Sequence, residues 1–164
     1  MGTKLLEVKQ SKARRSPRSG PGKGAGLGLL PGLIGYQLRL AQRAIFADFA
    51  DAVDGAGISP GLFGILVIID ANAGLTQQAL ADAAHLDRST VVTVIDKLEH
   101  RELVERRAAD RRSNGLFLTA AGTTLLLSLR RKVAQHERRV VQNLSDRERS
   151  QLVSLLQRIL PERR

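Results

Sequence analysis

The sequence of 164 residues contains no cysteine and no tryptophan, and aromatic residues make up only 3% of it. Without cysteine, a disulfide framework, a thiolate zinc site and a cysteine nucleophile are all excluded. The longest nearly continuous apolar run, Leu62 to Ile69, ends at Asp70 and is far shorter than the ~20 residues that a membrane-spanning helix needs. Near the N-terminus, Glu7 and Lys9 interrupt the apolar stretch that a signal peptide would require. We therefore expect a cytoplasmic protein that binds no membrane.

Basic residues outnumber acidic ones by 26 to 16, so the net charge is +10 at neutral pH, and residues 1–29 are the most basic part of the chain. Gly, Pro and Ser dominate residues 16–28 without helical or strand periodicity, which predicts a flexible arm. Such a basic arm either follows the phosphates or the minor groove of a nucleic acid, or is a solvated tail. Its acidic residue is Glu7, and its basic residues are Lys4, Lys9, Lys12, Arg14, Arg15, Arg18 and Lys23.

Beyond this arm, apolar residues recur at three- and four-residue steps, which predicts amphipathic helices. Ser59-Pro60, Thr76 and Asp87 are N-cap signals that precede the second, third and fourth helices. The second helix is apolar nearly all round and should be buried. We predict six helices: Pro31 to about Val53, Leu62 to Ala71, Gln77 to Ala84, Arg88 to about His100, Ala120 to about Asn143, and a last helix from the capping box Ser145–Glu148 to Pro161.

After the fourth helix, two short strands, Leu103 to Arg107 and Gly115 to Leu118, are predicted to form a hairpin with a basic tip. About three residues separate the third helix from the fourth. This order predicts a mainly α fold with a small β-hairpin wing (α+β), the winged helix-turn-helix. The residues expected to face inward are Ala79, Leu80 and Ala83 in the third helix and Val91, Val94, Ile95 and Leu98 in the fourth.

The fourth helix carries short polar side chains opposite its apolar stripe. A helix fits the ~12 Å major groove of B-DNA, where such side chains reach base edges. At the hairpin tip, Arg112 would enter the ~6 Å minor groove with Asp110 orienting it, and Arg106 and Arg107 would contact phosphates from the strand. The predicted DNA-binding residues are Arg88, Ser89, Thr90, Thr93, Lys97, Arg106, Asp110, Arg111 and Arg112.

From the turn before the fourth helix to the start of the fifth, the sequence resembles the MarR family of bacterial winged-helix regulators. Thr93 stands where many members of the family have Arg, and the wing is about two residues shorter than usual. The resemblance extends over about residues 30–160. It is carried by His85-Leu86-Asp87-Arg88-Ser89-Thr90-Val91, Asp96-Lys97-Leu98-Glu99, Leu103-Val104-Glu105-Arg106-Arg107, and Asp110-Arg111-Arg112 followed by Leu116, Leu118-Thr119 and Gly122.

This resemblance implies a homodimer that binds a near-palindromic operator on double-stranded DNA, usually as a repressor, and that a small-molecule effector releases. It divides the chain into a flexible basic arm (residues 1–29), a first dimerisation helix (30–56), a DNA-binding lobe (57–118) and two more dimerisation helices (119–164). The fifth predicted helix, ~36 Å long at 1.5 Å per residue, exceeds what one small domain needs and fits this division. The expected location is the cytoplasm, in association with the nucleoid.

Aromatic residues of the first two helices have two interpretations. They pack in the core or in the dimer base, or some of them line an effector pocket in which Arg39 or Arg43 pairs with an anion. In the second case the ligand would be an aromatic carboxylate or its acyl-CoA thioester. The candidate effector-binding residues are Tyr36, Arg39, Arg43, Phe46 and Phe63.

Other classes of function have weaker support. The sequence offers no candidate catalytic residues for an enzyme. His85, His100 and His136 do not have the spacing of metal ligands or catalytic groups, so we expect no cofactor, no metal and no catalytic residue. A basic architectural DNA-binding protein without an effector is the main alternative, and binding at one operator rather than everywhere on DNA excludes it. A winged-helix module for protein interaction is another, which DNA binding at moderate salt excludes.

Overall fold

The computed structural model describes residues 26–108 and 114–160. Within these ranges the chain forms six α-helices and one two-stranded hairpin, which confirms the predicted mainly α fold with a hairpin wing. The predicted arm, up to residue 25, and the wing-tip residues Asp110, Arg111 and Arg112 lie outside the described residues. The elements are α1 (Ile34–Ala52), α2 (Pro60–Ala71), α3 (Gln77–Ala84), α4 (Arg88–His100), β1 (Val104–Ala108), β2 (Asn114–Leu118), α5 (Ala120–Val140) and α6 (Asp146–Ile159).

Side-chain caps determine where most of the helices begin. At each of five N-termini, a hydroxyl or carboxylate oxygen accepts a hydrogen bond from the backbone three residues later, which satisfies a donor that the helix leaves free. The cap before α6 is the predicted capping box, in which Glu148 also accepts from the backbone of Ser145 at 2.9 Å. The capping residues are the predicted Ser59, Thr76, Asp87 and Ser145, together with Thr119 before α5.

The start of α1 differs from the prediction. Pro31 was expected in the first turn of this helix, but it lies in a separate 3-10 turn, Leu30–Gly32. Leu33 is extended (φ −89°, ψ 126°) and separates this turn from α1. No side chain caps α1, so the sequence carried no local signal for the boundary.

The core lies around α2, as its apolar sequence predicted. Leu66 and Ile69 of this helix are completely buried, together with Leu80 of α3 and residues of α4, β2 and α5. The inward face of α3 was predicted wrongly in part: Ala79 and Ala83 are exposed, whereas Leu80 and Ala81 are buried. Because α3 packs between α2 and α4, its buried face is centred on Leu80 rather than on the alanine stripe.

The hairpin packs directly against the start of α5. Val104 pairs with Leu118 and Ala108 with Asn114, so both strands extend by one residue into the predicted tip. A Cβ atom at Gly122 would lie 2.0 Å from the carbonyl oxygen of Leu103, a contact that only glycine avoids. The carbonyl of Leu103 also accepts from the amide of Thr119 at 3.1 Å. This close approach fixes the wing relative to α5.

Large apolar side chains remain exposed on α1 and α6. No residue of α6, which lies wholly within the described part, is buried in the single chain. The exposed apolar residues of these helices include Leu33, Ile34 and Leu38 before and within α1, and Leu152, Leu155 and Ile159 in α6. Contiguous exposed apolar surface of this kind marks an interaction surface. None of the helices in the described ranges is both long and apolar enough to cross a bilayer.

Candidate nucleic-acid interface

The turn between α3 and α4 has the three residues that the sequence predicted, His85–Asp87. His85 adopts a left-handed conformation (φ 53°, ψ 43°) that ends α3. The amide of Leu86 then donates to the carbonyl of Ala81 at 3.0 Å, which closes the turn. This geometry sets the angle between the two helices and therefore the direction in which α4 faces solvent.

One face of α4 packs in the core, and the other is exposed to solvent. Val91, Ile95 and Leu98 are completely buried, as expected. The outer side of the helix carries five of the predicted DNA-binding residues, and all five are exposed: Arg88, Ser89, Thr90, Thr93 and Lys97. The structure therefore brings them together on one helix that leaves them accessible.

The hydroxyl groups on this helix are already used as donors. Thr90 donates to Oδ2 of Asp87 at 2.7 Å, and Ser89 donates to Oδ1 of the same carboxylate. Thr93 donates to the backbone carbonyl of Ser89 at 3.1 Å. With their protons directed inward, these hydroxyls offer lone pairs and methyl groups to a ligand, while Arg88 and Lys97 supply the donors.

The carboxylate of Asp87 holds this arrangement. Hydrogen bonds from the Ser89 hydroxyl, and from the backbone and side chain of Thr90, hold the pKa of Asp87 well below its ordinary value of 3.8. The charged form is therefore strongly favoured, and it also lies at the positive N-terminal end of α4. The sequence predicted the cap but not that the same carboxylate fixes two of the predicted reading side chains.

Arg106 is engaged differently from the expectation that it meets phosphates. Its guanidinium pairs with Glu99 and, through Nη2, with Asp96 at 2.7 Å, and both carboxylates belong to α4. Its backbone amide donates to Glu99 at 2.9 Å. Gln77 of α3, with its amide oxygen directed towards Arg106, accepts a hydrogen bond from Nε of Arg106 at 2.7 Å. Arg106 thus connects β1, α4 and α3 inside the lobe, and its charge is compensated there.

Arg107, the next strand residue, stays on the surface. Its guanidinium lies 5.1 Å from the centre of the Phe117 ring and pairs with Glu105. It is exposed, so it remains available to a phosphate in a way that Arg106 is not.

A cavity of about 790 Å³ lies between the C-terminal half of α1 and the start of α2. Of the predicted effector-binding residues, Phe46 lines it, while Phe63 packs on the cavity-wall residue Phe49 with ring centres 6.1 Å apart. The other lining residues, for which no binding role was predicted, include Ala50, Val53, Ile58, Pro60 and Leu62. Phe49, Ala50 and Val53 follow Phe46 at three- and four-residue steps, and this spacing in the sequence indicates that they share one face of α1.

Tyr36, Arg39 and Arg43 lie outside the lining of this cavity. Their spacing places them on the same face of α1 as Phe46, up to three turns towards its N-terminus. The Arg39 guanidinium lies 5.1 Å from the centre of the Tyr36 ring. The two arginines therefore form a basic stripe that leads along α1 to the cavity.

A polar cluster around the buried side chain of His136 joins α1 to α5 beside the cavity. His136, 1% exposed, contacts Asp48 through Nδ1 at 2.5 Å and lies edge-on to Phe49 with ring centres 5.5 Å apart. Asp48 also accepts from Arg139 at 3.0 and 3.2 Å. The hydrogen bonds from Arg139 and then from His136 lower the pKa of Asp48. Sequence reasoning missed this cluster because no local pattern links residues so far apart in the chain.

Comparisons with known proteins agree with this geometry. The sequence profile of the MarR family matches residues 58–113. A protein assigned as transcriptional regulator of the hcr operon in Thauera aromatica is 38% identical over 135 residues, which cover 80% of this chain and 81% of the relative. The repressor CouR, solved on a 23-mer DNA duplex, superposes with a TM-score of 0.77 at 35% identity, covering 84% of this chain and 99% of CouR.

A second CouR structure, bound to p-coumaroyl-CoA, also has a TM-score of 0.77, at 33% identity over 83% of this chain and 97% of CouR. The lobe built on α4, the wing and the overall likeness define a winged-helix transcriptional regulator. The chain belongs to the MarR family.

The Asp87 cap predicts a specific dependence of stability on pH. Because the folded-state pKa of Asp87 is lowered, its ionised form stabilises the fold above the ordinary pKa of 3.8, and this contribution is lost as the pH falls below that value. We expect Asp87→Asn to melt at a lower temperature than the wild type at pH 7, and the difference to shrink below pH 4. Thermal melts of both proteins between pH 3 and 7 measure it.

Asp51→Asn is the matched control, because Asp51 is an exposed aspartate near the end of α1 that caps no helix. A difference between wild type and Asp87→Asn that stays constant across the pH range would contradict the proposed role of the carboxylate.

Proposed function

We propose that two copies of the chain form a homodimer that binds a near-palindromic operator as a repressor and leaves it when a small aromatic acid, or its CoA thioester, binds. The observation that carries this proposal is α4, whose inner residues Val91, Ile95 and Leu98 are completely buried and whose outer side exposes Arg88, Ser89, Thr90, Thr93 and Lys97. A helix held in this way suits the major groove. CouR, solved both on DNA and with p-coumaroyl-CoA, supports it.

The exposed apolar residues of α1 and α6 supply the surface for the second copy. α5 packs against α1 and extends the same base. Burying these residues against an identical surface removes apolar area from water, at ~25 cal/mol per Å². Two lobes on a common base then place two α4 helices about one helical turn of DNA, ~34 Å, apart.

Base reading is proposed for the outer face of α4 and the wing. Since the hydroxyls of Ser89, Thr90 and Thr93 act as donors within the helix, they accept hydrogen bonds from exocyclic amines of adenine or cytosine. Arg88 and Lys97 contact phosphates or guanine. At the wing tip, Asp110 orients Arg112 towards the minor groove, and Arg111 and Arg107 neutralise phosphates. Arg106 positions α4 instead of contacting DNA.

The effector is proposed to bind in the cavity between α1 and α2. Its apolar and aromatic walls suit the ring of a coumaroyl-type ligand, and the stripe of Arg39 and Arg43 suits a carboxylate or the phosphates of CoA. An effector that fits one spacing of the two lobes better than another shifts the population of dimers away from the operator-binding form. Coupling of this kind typically changes affinity by ~5- to 150-fold.

The remaining parts of the proposal concern the arm and the location. Residues 1–29, which carry a large share of the positive charge, add contacts to phosphates beside the operator. The protein regulates without catalysis and acts in the cytoplasm on nucleoid DNA. A basic architectural protein remains the competing function, and it would select no common sequence.

Selection of bound duplexes from random DNA tests base reading by α4. We expect the wild type to enrich a palindrome with half-sites about one helical turn apart. Thr93→Val keeps the shape but removes the hydroxyl, so we expect preference for one base in each half-site to fall by about 2- to 10-fold, while affinity for random DNA is unchanged.

Thr124→Val is the matched control, because the Thr124 hydroxyl also donates to a helix carbonyl, that of Ala120 at 2.9 Å, but lies on α5. Enrichment of no sequence by the wild type would favour the architectural function. Equal loss of affinity for selected and random DNA in Thr93→Val would exclude base reading by this residue.

Calorimetry with p-coumaroyl-CoA tests the cavity. We expect the wild type to bind it and Arg43→Gln to bind at least about tenfold more weakly, because the variant loses the positive charge and the bidentate pairing of a guanidinium with an anion. Arg131→Gln, which removes an exposed arginine of α5 that is not part of the α1 stripe, should bind like the wild type. Equal affinities for all three proteins would place the ligand elsewhere.

A further inference from the structure

The connection between α1 and α2 forms part of the cavity wall. Within it, Gly55 (φ 77°) and Gly57 (φ 60°) both adopt left-handed conformations, which side chains other than glycine rarely tolerate. Both glycines line the cavity of about 790 Å³, together with Ile58 and Ser59. A ligand that enters this cavity therefore contacts a segment whose backbone, rather than its side chains, determines its shape.

Arg101 connects this segment to α4, the proposed recognition helix. It follows α4 directly and is the C-cap residue of that helix. Its guanidinium donates from Nη1 to the carbonyl of Gly57 at 2.8 Å and from Nη2 to the carbonyl of Ala56 at 2.7 Å. The planar fork of an arginine suits two adjacent acceptors, and no other hydrogen bond among the described residues joins this connection to α4.

The α1–α2 connection, to which Arg101 donates these hydrogen bonds, lies between two cavities. The second cavity, of about 590 Å³, lies beside α4 and is lined by Thr93, Lys97 and Arg101. Gly57 and Leu62 line both cavities. The larger cavity is therefore the proposed effector site, and the smaller one is lined by the proposed DNA-binding residues Thr93 and Lys97. The hydrogen bonds of Arg101 lie between the two cavities.

We propose that Arg101 is a positioning residue that couples the effector cavity to the recognition helix. Displacement of the Ala56–Gly57 carbonyls by a ligand pulls on the guanidinium and so on the C-terminal end of α4, which changes the placement of Thr93 and Lys97. This inference rests on the proposed function. Coupling between sites is reciprocal, so DNA bound to α4 must in turn restrain residues 53–59.

Hydrogen–deuterium exchange of the full-length protein, with and without the duplex that the wild type selects, tests this coupling without any effector. In the wild type, we expect saturating DNA to slow exchange in residues 53–59 at least about threefold. In Arg101→Gln, DNA at saturation should leave this exchange unchanged, while exchange in α3 still slows. Arg101→Lys, which keeps the charge but can reach only one carbonyl, should be intermediate.

Arg130→Gln is the control, because Arg130 is also an exposed arginine that joins two elements, through Asp70 of α2 at 2.7 Å, and should behave like the wild type. Equal slowing in the wild type and Arg101→Gln would overturn the coupling while leaving the proposed function intact. Loss of DNA binding by both Arg101 variants would also overturn it, since Arg101 would then act on DNA itself. Absence of DNA binding by the wild type would overturn the proposed function and this inference together.

In a second arm, p-coumaroyl-CoA is added to wild type and Arg101→Gln on the same duplex. We expect it to weaken the wild-type complex about 5-fold or more and the variant complex less than about 2-fold, with equal affinity of both free proteins for the ligand. Equal weakening of the two complexes would contradict the role of Arg101.

Discussion

The interaction on which the DNA-binding lobe depends is the contact of Arg106 with the acidic side of α4. A single guanidinium from β1 meets Asp96 and Glu99 of α4 and Gln77 of α3. The side chains of Arg106 and Glu99 are 24% and 29% exposed, so water competes less for their contact than for the contact with Asp96, whose side chain is 59% exposed. These contacts connect β1, α4 and α3 through one side chain. The buried apolar stripe holds one face of α4, and Arg106 compensates the two carboxylates that lie beside its exposed face.

A small number of polar contacts also fixes the two ends of the recognition helix. Asp87 caps α4 and restrains Ser89 and Thr90, whereas Arg101 ends the helix and binds the α1–α2 connection. Between these two ends lie the side chains proposed to read DNA. The proposed base reading thus depends on polar groups outside the apolar core, while the core orients the helix. The cavity beside the Arg101 contact is lined by the core residues Phe49, Val53 and Ile58, so a ligand in it would contact both the core and this polar framework.

Most of the fold could be predicted because its signals are local. Ser59, Thr76 and Asp87 mark helix starts within a few residues, and the apolar stripe of α4 follows directly from its spacing. The start of α1 lacked a cap, and the inward face of the short α3 depended on its two neighbours. The partners of Arg106, the cluster of Asp48, His136 and Arg139, and the walls of the cavity are pairings between distant parts of the chain. Composition and periodicity contain no information about such pairings.

The salt dependence of DNA binding tests the central claim most directly. If Arg106 is an internal connector, Arg106→Gln, measured where it is folded, should leave the slope of log Kd against log salt concentration equal to that of the wild type, whatever happens to specificity. Arg88→Gln should reduce the slope by ~0.9 for each phosphate that the variant no longer neutralises, or about 1.8 for a dimer. An equal reduction for Arg106→Gln would show that Arg106 binds phosphates and would contradict the account.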